Sequence, residues 1–109
     1  MESRILQEML KMQKDLDELV IKRQQIIKPS ITDKCTAMIH EVCELQKVDN
    51  FKWWKKAKPF SRAEAQEELI DILHFWLSVA NDIGLDEDKI FEIYKSKNAI
   101  NKTRQENGY

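Results

Sequence analysis

The sequence predicts an all-α protein, a bundle of four main helices in one domain spanning residues 1–109. Three observations predict it. Glycine and proline number two each, too few for the turns of a hairpin-rich β architecture. Apolar residues recur at three- and four-residue spacing over long stretches. Helix N-cap residues stand just ahead of three of those stretches, at Ser30, Ser61 and Asp86.

The first helix is expected over about Ser3 to Ile27, where Ile5, Met9, Met12, Leu16, Leu19 and Val20 hold helical spacing. Pro29 ends it, because proline disfavours helix in the residue before it. Ser30, with Asp33 three residues on, opens a second helix reaching about Val48. Asp49 to Phe60, DNFKWWKKAKPF, has no clean period and reads as a loop or a short helix with linkers. Ser61 and Glu64 make the S-x-x-E capping pattern that opens the third helix, and Gly84 stops it. Asp86 caps a fourth helix carrying Ile90, Phe91, Ile93 and Tyr94. The polar tail from Asn101 is expected to fray. The sequence has no internal repeat and no low-complexity segment.

The third helix is the most informative. Its apolar residues, from Leu69 to Ile83, cover roughly 220° of the helical wheel, wider than the stripe of an ordinary surface helix. It is therefore expected to be buried on most sides. Four helices in 109 residues surround a helix so fully only with difficulty, which points to a bundle completed by dimerisation.

Charge and composition exclude several classes. Charged residues make up 34% of the chain but the net charge is −1, so no overall field draws it to a nucleic acid polymer or an anionic membrane. No apolar run approaches the roughly 20 residues that span a bilayer. MESRILQEML carries early acids and lacks the apolar region of a signal peptide. Cys35 and Cys43, on one helix, are separated by about 12 Å of rise and cannot pair with each other. They read as buried small hydrophobes of a reduced, cytoplasmic protein.

The candidate chemistry lies in carboxylates. Glu68 falls inside the apolar arc of the third helix, and Asp71 at its edge. Glu41 and Glu44 share a face of the second helix by the same three-residue spacing. A buried carboxylate without a partner is costly. Two such pairs on facing helices would repel unless a cation sat between them. Hard oxygen ligands in this number suit Mg²⁺, or alternatively Mn²⁺. Magnesium commonly shares its shell with substrate phosphates. Taken alone, each pair is more often a solvated helix face, and it is the placement of Glu68 that favours the metal.

The full pattern is E41-V-C-E44, 23 residues, then E68-L-I-D71. It resembles the E-x-x-E…E-x-x-D signature of the all-α NTP pyrophosphatase superfamily, which includes MazG and the dimeric dUTPases. N50-F-K-W-W-K-K56 resembles the aromatic-basic loop of dimeric dUTPases, and E67 to N81 their second acidic helix with its His-Phe pair. Y94 to Y109 resembles their C-terminal K-N-x-x-N-x-x-R element, and M12-Q-K-D-L-D17 their N-terminal glutamine motif. In length the chain is similar to the compact forms of Firmicutes and their phages, in which elements closing the site are missing or come from the other subunit.

The resemblance implies a MazG-like fold and Mg²⁺-dependent hydrolysis of dUTP to dUMP and pyrophosphate by a homodimer. It implies Glu41, Glu44, Glu68 and Asp71 as metal-holding and catalytic residues, with Glu41 as the favoured base toward water. Lys97 and Arg104 become phosphate ligands, since a guanidinium grips phosphate in a fork. Asn98 and Asn101 become polar contacts, and Lys56, with Lys55, adds charge from the loop. Trp53 or Trp54 stacks on the base, the other being core, with Phe75 as a second wall. Gln13 hydrogen-bonds base or sugar, assisted by Asp17. His74 reads as a core or supporting histidine rather than a metal ligand.

Three other readings stay open. A related pyrophosphatase would act on dCTP or a modified nucleotide. A di-iron bundle would want E-x-x-H twice, which only Asp71-x-x-His74 approaches. A non-catalytic helical interaction protein would use the long first helix as its partner surface.

Overall fold

The structure is a computed structural model, and it describes residues 3–109. Four helices account for the elements: α1 (Ile5–Gln24), α2 (Ile31–Val48), α3 (Arg62–Asp82) and α4 (Glu87–Glu106). The described residues contain no strand. Among the described residues no helix is long and apolar enough to cross a membrane.

The helix ends follow local chemistry. Ser30 accepts a bond from the Asp33 N–H while the Asp33 carboxylate accepts from the Ser30 N–H, a complete capping box. Ser61 and Asp86 cap α3 and α4 through the N–H groups of Glu64 and Lys89. α1 stops at Gln24, three residues short of expectation. Gln25 turns into the left-handed region at φ 52° and donates to the Ile21 carbonyl, closing the helix before Pro29 acts. The tail does not fray from Asn101: α4 stays helical to Glu106, and the Tyr109 ring lies under the Arg104 guanidinium at 5.5 Å.

α3 is the central element, packed along α2 and more briefly along α1. Leu10, Leu77 and Ala80 form the fully buried core, with Leu6, Met9, Leu73, Leu85 and Ile90 against it. α4 is tied to the start of α1 by Arg4 to Glu87 at 3.1 Å and Arg4 to Asp88 at 3.3 Å. Paired bonds between the backbone N–H groups and side-chain oxygens of Gln7 and Glu87 add to this. Beyond that corner α4 extends into solvent, and every residue from 91 on is exposed.

Two expectations are corrected here. Within one chain α3 is not buried on most sides. Leu69, Ile70 and Ile83 are each more than half exposed, because α1 and α2 cover one side and α4 leaves the other open. The cysteines are not buried either. Cys35 and Cys43 are free and exposed, since they lie on α2 faces that no helix covers.

The exposed surface is 9319 Å², where a compact monomer of 13.0 kDa shows about 6,300 Å². The radius of gyration is 17.5 Å, against about 13 Å for a compact domain of this length. Both quantities describe an open arrangement with an unusually small core.

Candidate active site

The α2–α3 packing sets one acidic turn of each helix against the other. Glu41 from α2 and Glu68 and Asp71 from α3 each offer a carboxylate oxygen, and these oxygens lie within 4.8 Å of one another. Glu41 and Glu68 are half-buried and Asp71 is exposed. Partial burial, and then the charges of Asp71, Glu41, Glu44 and Glu67, hold the Glu68 carboxyl above its ordinary range. Glu44 thus contributes to the field at Glu68, but it stands outside the three-oxygen cluster and pairs with Lys47 at 3.1 Å. The donor set fits a hard divalent cation: acid oxygens only, close enough to share one ion, and repelling each other when nothing lies between them.

One turn along the same groove the α1, α2 and α3 helices line an open cavity of about 570 Å³, within the range of small-molecule sites. Ala37 lies one turn before Glu41 on α2, and His74 and Phe75 lie just past Asp71 on α3. The cavity and the acids are therefore consecutive parts of one trough. Leu16, Val20, Ile21, Ala37 and Phe75 supply apolar walls, and Gln13, Asp17, Lys34, His74 and Ser78 supply the polar groups.

Those polar groups form a connected chain. Gln13 Nε2 donates to Asp17 Oδ1 at 2.9 Å, and Gln13 Oε1 lies 2.6 Å from His74 Nδ1. Ser78 Oγ donates to Asp17 Oδ2 at 2.6 Å. Lys34 Nζ reaches the Asp17 carboxylate at 3.9 Å and that of Asp82 at 2.7 Å, and Lys28 approaches Asp82 at 3.6 Å. Gln13, Lys34 and Ser78 are buried. No buried side-chain polar atom among the described residues lacks a partner, as a buried polar cluster requires.

The other candidate residues are spread apart. The loop between α2 and α3 is pinned at its base by Asn50, whose side chain exchanges bonds of 2.9 and 2.8 Å with the Lys58 backbone. Trp53 and Trp54 meet edge to face at 5.5 Å between centroids and are 86% and 62% exposed. Neither is core, which corrects the expectation that one of the two is. Lys56 lies with Lys52, Lys55 and Lys58 around a shallow basic hollow of that loop. Lys97, Asn98, Asn101 and Arg104 are all in solvent on α4, and the single chain does not bring them to the acids. Lys34, Ser78 and Asp82 were not singled out from the sequence. The available signal was Ser78 inside the apolar stretch of α3, a polar residue that must find a partner when buried.

The fold and the acidic trough define a class, all-α proteins with a carboxylate-lined groove, and comparison with known proteins specifies it. A family model described as dUTPase matches residues 5–89 and 76–109. The chain belongs to the all-α dUTPase family. It is similar to a dCTP pyrophosphatase of Enterobacteria phage T4, 41% identical over 51 residues, which are 47% of this chain and 30% of that protein. A dCTP pyrophosphatase of Enterobacteria phage LZ5 is 39% identical over 51 residues, with the same shares of each chain. The chain thus aligns with under a third of the length of these curated relatives. No solved structure gives a significant match.

Proposed function

We propose that the chain is a Mg²⁺-dependent nucleotide pyrophosphatase that converts dUTP and water to dUMP and pyrophosphate. The observation that carries this reading is the cluster of Glu41, Glu68 and Asp71 beside a nucleoside-sized cavity in one groove. Family membership supports it. A nucleoside in the cavity leaves its phosphates at the next turn, over the acids.

Glu41, Glu68 and Asp71, joined by Glu44, are the residues that would hold the ion. Such an ion would supply charge neutralisation at the phosphate oxygens. Glu41, half-buried and facing the two acids of α3, orients the attacking water and takes its proton. Phe75 walls the base, Trp53 closes over it from the loop, and Gln13 hydrogen-bonds the nucleoside. Lys56, Lys97 and Arg104 bind phosphate, with Asn98 and Asn101 beside them.

A homodimer completes this arrangement. The surplus of about 3,000 Å² per chain over a compact monomer, about 6,000 Å² for a pair, is ample for an obligate interface. The exposed apolar residues Leu69 and Ile70 of α3, Ile83 at its C-cap, and Phe91 and Tyr94 of α4 are the faces we assign to it. A second copy covering these faces brings the cationic end of its α4 to the acids. Two exposed free thiols suit a reducing compartment, the cytoplasm.

A second reading, in which dCTP is the substrate, is favoured by the two phage relatives that carry that name. A pyrophosphate-release assay over all nucleotides, with and without Mg²⁺, separates them. Hydrolysis of dUTP at least about tenfold better than dCTP is expected, and the reverse order transfers the assignment to dCTP. Glu68→Ala is expected to lower the rate by at least about a hundredfold, the weight of several kcal/mol at the phosphates. Full activity in that variant, or no release from any nucleotide, overturns the pyrophosphatase reading.

A further inference from the structure

We propose that Asp17 is a positioning residue: through the Gln13 amide it fixes His74 as the Nδ1–H tautomer, so that the His74 Nε2 lone pair accepts a hydrogen bond from a bound nucleoside. The inference rests on the nucleotide reading above for its ligand and on the α1–α3 geometry for its logic.

Asp17 receives Ser78 Oγ–H on Oδ2 at 2.6 Å, with the Lys34 ammonium 3.9 Å from the same oxygen, and a carboxylate oxygen facing such donors accepts. Gln13 must then turn its NH₂ toward Asp17, at 2.9 Å, and its carbonyl oxygen toward His74. That oxygen cannot donate. The 2.6 Å contact to His74 Nδ1 is a hydrogen bond only if Nδ1 carries the proton. In the neutral ring this leaves Nε2 bare, with no partner among the described residues. His74 and Gln13 both line the cavity. The proposal assigns the cavity an acceptor at His74 Nε2, suited to an N–H of a pyrimidine edge or a sugar hydroxyl.

The orientation has one cause, which makes it reversible. In Asp17→Asn, the new carbonyl oxygen belongs on the side of Lys34 and Ser78, and the new NH₂ faces Gln13. Gln13 must rotate to present oxygen, its NH₂ then meets His74 Nδ1, and the proton moves to Nε2. An acceptor facing the nucleoside becomes a donor. Ser78→Ala removes one bond to Asp17 but leaves Lys34 in place, so the tautomer stays as it was.

The test is long-range ¹H–¹⁵N correlation on the full chain with ¹⁵N-histidine, at alkaline pH where imidazole is neutral. The chain has two histidines, and His40→Gln assigns the signals. The wild type and Ser78→Ala are expected to show Nδ1–H, and Asp17→Asn to show Nε2–H. Kinetically, Asp17→Asn should raise KM about tenfold, the size of one reversed hydrogen bond, with kcat within about twofold. An Nε2–H tautomer in the wild type, an unchanged tautomer in Asp17→Asn, or a fall in kcat alone overturns the proposal. The tautomer is read without nucleotide, so an enzyme inactive on every nucleotide would sink the proposed reaction and leave the relay judged by its spectrum.

Discussion

Helices α2 and α3 bring three acidic side chains within 4.8 Å of one another, whereas α4 carries Lys97, Asn98, Asn101 and Arg104 entirely in solvent. Both faces are built by the same helical spacing. What separates them is packing. α3 lies along α2, so acids on facing turns must converge. α4 is anchored only at its first turn, by Arg4, Gln7 and Glu87, so its cationic end converges on nothing in its own chain. Sequence register assigns a residue to a face, and only a packed neighbour makes that face part of a site.

A mixing experiment tests whether α4 of one copy serves the acids of another. If α4 serves the acids of a second copy, Arg104→Ala should cost about ten- to a hundredfold in pyrophosphate release, the range for a hydrogen bond to a charged phosphate. Glu68→Ala should be inactive alone. Unfolding and refolding the two together forms hybrids in which one site collects both defects and the other neither. Activity should then return to roughly a quarter of wild type by random pairing of two chains. Recovery no greater than the sum of the separate variants would mean that α4 folds back on its own acids.

A smaller effect sharpens the acidic side of the comparison. An ion that binds only the folded chain stabilises it by about 2.7 kcal/mol at a hundredfold excess over its Kd. Mg²⁺ is therefore expected to raise the melting temperature of the wild type and of Arg104→Ala equally, and to leave Glu68→Gln unmoved. Equal shifts in all three would place the ion elsewhere.

How much was legible follows the same division. Caps are local, so Ser30, Asp33, Ser61 and Asp86 were readable from a few residues each, and the structure forms all of these helix starts. Glu41, Glu68 and Asp71 come together on the faces that three-residue spacing and the odd position of Glu68 in an apolar arc mark, whereas Glu44 turns to Lys47 instead. The width of that arc did not translate into burial within one chain, because periodicity says which side is apolar and not what covers it. The cysteines failed for the same reason. The grouping of Lys34, Ser78 and Asp82 around Asp17 escaped because it joins three helices, and no spacing along one helix encodes it. α4 outran its expected end because the tail below Arg104 adds a ring contact that composition does not show.

The smallest expected effect compares two carboxyls whose surroundings push them in opposite directions. Asp33 lies below its ordinary range, first because the Ser30 backbone N–H donates to it and then because the Ser30 hydroxyl does. Glu68 lies above its range, first through desolvation and then through its acidic neighbours. Stability rises with pH where the unfolded chain binds more protons, and falls where the folded chain binds more. Asp33 therefore stabilises above the ordinary aspartate value, and that contribution is lost as pH falls through its lowered value. Glu68 does the reverse: its contribution is present below the ordinary glutamate value and is lost as pH rises through its raised value. Melting temperatures from acidic to neutral pH, without divalent ions, should show Asp33→Asn losing stability mainly at the neutral end. Glu68→Gln should gain there relative to wild type, since a neutral amide ends the repulsion from Asp71 and Glu41. Adding Mg²⁺ should cancel the advantage of Glu68→Gln, because the ion neutralises in the wild type the same charges that the substitution removes. An advantage that persists with the ion would mean that the acids repel without ever sharing a cation.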